Sequence, residues 1–166
     1  EDFDPLSYTE GDATAELTRV LGISKDYIFS LRLKQFLSHL DMEMLFQHVP
    51  TLCHIDMTYG VKQIGMEYER ALFGMRLGDV SSLAKALGVT GTLTFLSLPC
   101  NLLDDNAVRI LASGLHDNST LTALDLCNNK IVAERAASLA DALKVNASLT
   151  ALYLDSNNIG DEGATS

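Results

Sequence analysis

The sequence contains little positive charge and no tryptophan. Of its 166 residues, 12 are Lys or Arg and 22 are Asp or Glu, which gives a formal net charge of −10 at pH 7. Binding to a phosphate backbone needs clustered cations, and so does docking on anionic lipid. We therefore expect neither nucleic acid nor a membrane surface among the partners of this protein.

Cysteine and long hydrophobic runs are also scarce. The three cysteines are an odd number and include no Cys-x-x-Cys pair, so they form neither a disulfide framework nor a zinc site. No apolar run approaches the roughly 18 residues of a membrane span, and no signal-peptide pattern opens the chain. This composition suits reduced thiols in a cytosolic protein, with Cys100 and Cys127 buried as core filler.

What the sequence does contain is a repeat. The pattern Leu-x-x-Leu-x-Leu-x-x-Asn-x-Leu/Ile begins at Leu93, Leu121 and Leu149, 28 residues apart both times. In each full unit, apolar residues first alternate, as in a strand, and then recur at i, i+3, i+4 and i+7, as in a helix. Because neither element buries its apolar side alone, consecutive units must stack. The sequence predicts an α/β solenoid of leucine-rich repeats, with a parallel sheet on the concave side and helices on the convex side.

The same pattern predicts which side chains hold the stack together. Asn101, Asn129 and Asn157 stand where the chain leaves each strand, and we expect their amides to form a buried ladder between neighbouring units. The strand leucines expected to face the core are Leu96, Leu98, Leu124, Leu126, Leu152 and Leu154.

Two irregular units precede the regular ones. Strand templates begin at Ile28 and Leu52, and the 41 residues from Leu52 to Leu93 exceed one repeat by 13, so we expect a surface loop there. The predicted organisation is an N-terminal lead with a short helix at 1–22, followed by a repeat domain at 23–166. The repeat domain contains irregular units at 28–51 and 52–92, regular units at 93–120 and 121–148, and a truncated unit at 149–166. The insertion lies at about 59–79, within the second irregular unit.

The last unit stops before its helix and the chain begins at Glu1, so we interpret the sequence as a fragment. A truncated stack exposes an apolar end face. The two expectations that follow are further repeats in the parent protein and end-to-end self-association of the fragment.

No motif for catalysis, cofactor binding or metal binding is complete. Segment 60–65 has the glycine spacing of a phosphate loop, but Met66 and Glu67 replace its Lys-Ser/Thr pair. The segment from Asp155 starts like a calcium loop and lacks the glutamate of its last ligand position. We therefore predict a protein that is not an enzyme, with no catalytic residues, no cofactor and no metal.

The remaining candidate for function is the concave surface. Strand positions that face away from the helices line up in three columns, and solenoids commonly bind proteins on this side. The columns are Ser30, His54, Phe95, Ala123 and Ala151, then Arg32, Asp56, Ser97, Asp125 and Tyr153, then Lys34, Thr58, Pro99, Cys127 and Asp155. The residues predicted to bind protein here are His54, Asp56, Phe95, Asp125, Tyr153 and Asp155.

The insertion carries a more specific resemblance than the repeats, which are similar to the ribonuclease-inhibitor type. Its characteristic residues are Met57-Thr58-Tyr59-Gly60-Val61-Lys62, Gly65-Met66-Glu67-Tyr68-Glu69, Leu72-Phe73 and Ser82-Leu83-Ala84. This block resembles that of the t-complex-associated testis-expressed protein family, the fifth, leucine-rich-repeat subunit of the nexin–dynein regulatory complex in motile cilia.

The resemblance implies a non-catalytic scaffold in the axoneme of cilia or flagella. Its partners would be other subunits of the dynein regulatory complex and proteins associated with doublet microtubules. It also suggests that Tyr59, Lys62 and Met66, in the insertion, contribute to docking. The alternative is a cytoplasmic regulator of an enzyme, either a small-GTPase activator or a ribonuclease-inhibitor-like binder built on the same repeat type.

Overall fold

A computed structural model describes residues 15, 19–23, 25–36, 40–59 and 74–165. The described strands form a single parallel sheet in which every strand pairs with the next one in the chain. They are β1 Ser30–Phe36, β2 His54–Tyr59, β3 Phe95–Ser97, β4 Ala123–Asp125 and β5 Ala151–Tyr153. Sequential order with parallel pairing is the topology of a solenoid.

A helix follows each of these strands and packs against the next helix along the stack. The helices are α1 Met42–His48, α2 Leu77–Val89, α3 Asp105–Asp117, α4 Ala133–Leu143 and α5 Gly160–Ala164. The prediction that the last unit stops before its helix is wrong, because α5 forms a short helix after β5. Aspartates begin two of them: Asp41 accepts a hydrogen bond from the Met44 N–H at 3.1 Å, and Asp104 accepts one from the Ala107 N–H at 3.0 Å. These caps satisfy N–H groups that a helix start leaves without an internal partner.

The core lies between the sheet and the helices. Leu96, Leu98, Leu124 and Leu126 are fully buried, as are the apolar residues that line the inner side of α3. Leu152, in β5, and Leu154, directly after it, are only half-buried. The prediction of an α/β leucine-rich-repeat fold with a parallel sheet on one side and helices on the other is confirmed.

The expected amide ladder is present, and Asn129 is its most heavily bonded member. Its Oδ1 accepts hydrogen bonds from the N–H groups of Asn101 at 3.0 Å and Leu103 at 3.2 Å. Its Nδ2 donates to the carbonyls of Leu98 and Leu126, both at 2.9 Å. One side chain therefore ties the turn after β3 to the turn after β4.

Asn101 and Asn157 repeat this arrangement one unit earlier and one unit later. Asn101 accepts from the Tyr59 N–H and donates to the Met57 carbonyl, both at 2.8 Å. Asn157 accepts from the Ile131 N–H at 3.2 Å. Because each asparagine bonds to the neighbouring coil, the ladder fixes the spacing between units where the strands end.

Candidate functional site

The sheet face opposite the helices brings together aligned side chains from every described strand. In the strand register His54 lies beside Phe95, and Asp125 lies between Ser97 and Tyr153. We call this surface the open face. Its members are Ser30, Arg32, Lys34, His54, Asp56, Thr58, Phe95, Ser97, Pro99, Ala123, Asp125, Cys127, Ala151, Tyr153 and Asp155.

Two cations form ion pairs with one carboxylate at the β1–β2 end of the open face. Arg32 Nε lies 3.1 Å from Asp56 Oδ2, and Lys34 Nζ lies 2.5 Å from Asp56 Oδ1. The Asp56 side chain is 13% exposed, whereas those of Arg32 and Lys34 are 70% and 49% exposed. Because a buried carboxylate needs a partner, Asp56 holds both cations at this end of the face.

An aromatic pair stands next to small residues in the middle of the open face. The rings of His54 and Phe95 stack with centroids 4.3 Å apart and an angle of 14° between their planes. Ala123 and Ala151 continue the same column on the next two strands. We call these two alanines, whose side chains are small, the alanine floor.

Asp125 is held on the open face by neutral donors. The Ser97 hydroxyl donates to Oδ2 and the Cys127 N–H donates to Oδ1, both at 2.9 Å. Burial raises the pKa of this carboxyl, but the hydrogen bonds from Cys127 and Ser97 and the charge of Lys34 outweigh burial and bring the pKa below its ordinary value. Asp125 is therefore negatively charged at neutral pH.

The three thiols lie nearer the surface than the composition predicts. Cys100 is exposed, in a turn where its φ of 57° directs the side chain outward, so the prediction that it fills the core is wrong. The same prediction is wrong for Cys127, which is half-buried on the open face, where its Sγ donates to Asp155 Oδ2 at 3.4 Å. Cys53 is also half-buried and donates to the Phe29 carbonyl at 3.2 Å.

We predict that Cys127 reacts slowly with alkylating reagents although it is accessible. Burial, followed by its hydrogen bonds to Asp125 and Asp155, raises the pKa of its thiol to about 12. Since the thiolate is the nucleophile, iodoacetamide at pH 8 should modify Cys127 at least about a hundredfold more slowly in the folded protein than in urea. Mass spectrometry of timed digests measures both rates, and similar rates would contradict the prediction.

A row of threonines borders the open face at the start of the strands. The hydroxyls of Thr94, Thr122 and Thr150 donate to the carbonyls of Cys53, Thr94 and Thr122 at 3.0, 3.0 and 3.1 Å. Sequence reasoning missed this second ladder, although the 28-residue spacing of the three threonines was the signal that could have found it.

The residues predicted to bind protein divide into three groups, the last of which is Tyr59 alone. His54, Asp56, Phe95, Asp125, Tyr153 and Asp155 lie together on the open face. Lys62 and Met66 lie outside the described residues, as does segment 60–73 of the predicted insertion.

Tyr59 lies in the core rather than on a docking surface. It ends β2 with 7% of its surface exposed, so its ring belongs to the core and the docking contact predicted for it is wrong. Burial and the nearby charge of Asp79 raise the pKa of its phenol, which stays protonated at neutral pH. Asp79 is itself buried in the first turn of α2, where it accepts the Arg76 N–H at 3.1 Å.

Within the part of the chain that the structure describes, no group of three or more His, Cys, Asp or Glu side chains is arranged to hold a metal ion. None of the described helices has the length and apolar character needed to cross a membrane.

Comparison with known proteins finds a family model that matches the repeat and curated proteins that are similar to the chain. A family model described as Leucine Rich repeat matches residues 145–166. Dynein regulatory complex subunit 5 of Chlamydomonas reinhardtii is 43% identical over 97 residues, which cover 58% of this chain and 25% of that protein. The subunit of the same name from Mus musculus is 34% identical over 77 residues, covering 46% of this chain and 16% of that protein.

These relatives confirm the resemblance predicted from the sequence. The chain spans only about a quarter or less of the length of the curated relatives that it matches.

Two solved structures have a partly similar chain path. Leiomodin-1 actin-binding site 2 has a TM-score of 0.49 and 23% identity, covering 55% of this chain and 54% of that one. An internalin (inlF) of Listeria monocytogenes has a TM-score of 0.37 and 18% identity, covering 88% of this chain and 46% of that one. No functional conclusion follows from either similarity.

Proposed function

Because the chain is a leucine-rich-repeat protein related to dynein regulatory complex subunit 5, we propose that it is a structural and regulatory subunit of the axoneme in motile cilia or flagella. In this role it is a non-catalytic scaffold that joins other subunits of the dynein regulatory complex and so helps to regulate dynein-driven sliding. The observation that carries the proposal is the 43% identity to the algal subunit over 97 residues.

The open face supports a binding role. It carries exposed aromatic and charged side chains on a sheet whose register is fixed by two ladders of hydrogen bonds. A rigid, pre-ordered surface loses little conformational freedom when a partner binds, and Tyr and Arg are the residue types that most often dominate such contacts. Tyr153, 48% exposed, and Arg32 are of these types.

We predict that Tyr153→Ala releases the protein from axonemes without unfolding it. Because Tyr153 lies on the open face and is half-exposed, its loss should remove a contact with the partner while leaving the core intact. Truncation of such a tyrosine at an interface costs about 2 kcal/mol, or roughly a thirtyfold loss of affinity. The fraction of tagged protein that sediments with detergent-extracted axonemes measures the effect.

The matched control is Val89→Ala. Val89 is 80% exposed at the end of α2, on the opposite side of the molecule, so its variant should sediment like the wild type. A diffuse wild-type protein that never sediments with axonemes would overturn the proposed function. Acceleration of GTP hydrolysis by a small GTPase, measured as phosphate release, would instead favour an enzyme regulator.

A further inference from the structure

Among the described residues of the open face, ion pairs form at one end only. On β1 and β2, Arg32 and Lys34 both pair with Asp56. On β4 and in the turn after β5, Asp125 and Asp155 accept hydrogen bonds from neutral donors, and neither forms an ion pair with any residue that the structure describes. The β4–β5 half of the open face is therefore negative on a sheet that no described element covers.

The β4–β5 half of the open face also contains an apolar contact surface. The alanine floor lies beside the ring of Phe95, and Tyr153 projects from the same face two residues after Ala151. Small residues between two aromatic side chains leave room for a large apolar side chain of a partner. An apolar centre with charges at its rim is the usual anatomy of a protein–protein interface.

We infer that the β4–β5 half of the open face binds a basic segment of another protein subunit, with Lys or Arg side chains against Asp125 and Asp155 and an apolar side chain on the alanine floor. The inference rests on the proposed function and adds the chemistry of the partner. Complementary charge selects this occupant, because an acidic segment would be repelled by the two carboxylates and by a chain of net charge −10. The same charges disfavour a nucleic acid strand.

The test maps what touches Tyr153 in assembled axonemes. The photo-crosslinking residue p-benzoylphenylalanine, which keeps the aromatic ring that alanine removes, replaces Tyr153 in the tagged protein. The protein is returned to axonemes that lack it, and mass spectrometry identifies the linked peptide. We expect a peptide from a different polypeptide with at least two Lys or Arg near the linkage. We also expect the yield to fall several-fold when ionic strength rises from about 0.1 to 0.5 M.

A double variant that removes both charges tests the carboxylates themselves. Asp125→Asn with Asp155→Asn preserves shape and should lower the crosslinking yield by roughly tenfold. The matched control, Asp117→Asn with Asp141→Asn, removes the same charge from α3 and α4, where the two side chains are 73% and 75% exposed, and should leave the yield unchanged.

The outcomes separate this inference from the proposed function. A linked peptide without basic residues, a peptide of the same chain, no crosslink in axoneme-bound protein, or an unchanged yield in the Asp125 and Asp155 variant would each overturn the inference while leaving an axonemal role intact. Failure of the wild-type protein to enter axonemes would overturn the proposed function itself.

Discussion

Replacing Asn129 with Ala is expected to destabilise the protein by about 3–5 kcal/mol, because it leaves two buried N–H groups without acceptors. These are the backbone N–H groups of Asn101 and Leu103, which both donate to Asn129 Oδ1. The carbonyl of Leu98 also loses its bond to Nδ2, whereas that of Leu126 keeps a second donor, Asn157 Nδ2, at 2.9 Å. Urea unfolding followed by circular dichroism measures the loss of stability.

Asn157→Ala is the control for this prediction. Asn157 is the same residue type at the same repeat position, but it is half-buried at the end of the described stack and accepts only one N–H, that of Ile131. Water can replace part of its bonding, so we expect a loss of about 1–2 kcal/mol. An Asn157→Ala variant as unstable as Asn129→Ala would mean that burial does not govern the ladder's contribution.

Gly114→Ala is expected to destabilise the protein by about 2–3 kcal/mol, although alanine is the better helix former. A Cβ atom at Gly114 would lie 2.5 Å from the Ala84 carbonyl oxygen and 2.7 Å from Ala84 Cα. Both are backbone atoms of the neighbouring helix α2, which cannot turn aside as a flexible side chain would. Helices α2 and α3 must therefore separate, and thermal unfolding should show a lower Tm.

The control, Gly88→Ala, makes the same change in α2 at a site where no atom of another described segment lies within 4 Å of the added Cβ. Here the intrinsic preference of alanine for helix acts alone, and stability should rise by up to about 1 kcal/mol. The two variants should thus change Tm in opposite directions. A stabilising Gly114→Ala would show that the two helices approach less closely than described.

The sequence was sufficient to predict those parts of the fold that repeat. The three matching segments from Leu93, Leu121 and Leu149 specify which side chains alternate into the core, and a constant offset specifies which residues become neighbours in the sheet. For this reason the column containing Asp125 and Tyr153 could be aligned before any coordinates were known.

Features that depend on one local conformation could not be predicted in this way. The 28-residue counterparts of Gly114 are Ala86 and Ala142, both buried, so the pattern did not indicate that a Cβ fails to fit at position 114. Exposure of Cys100, by contrast, could have been predicted from the repeat, because its 28-residue counterparts Asn128 and Ser156 are polar and exposed and all three share a positive φ. Burial of Tyr59 depends on the irregular unit, where the repeat offers no template.

The two ladders have a mechanical consequence. The asparagine amides and the threonine hydroxyls bond each coil to the next. A pulling force in the plane of the sheet and perpendicular to the strands therefore acts on every coil-to-coil contact in series. Contacts in series each carry the full load. Weakening a single rung, such as the Asn129 amide, should therefore lower the force at which the whole stack separates.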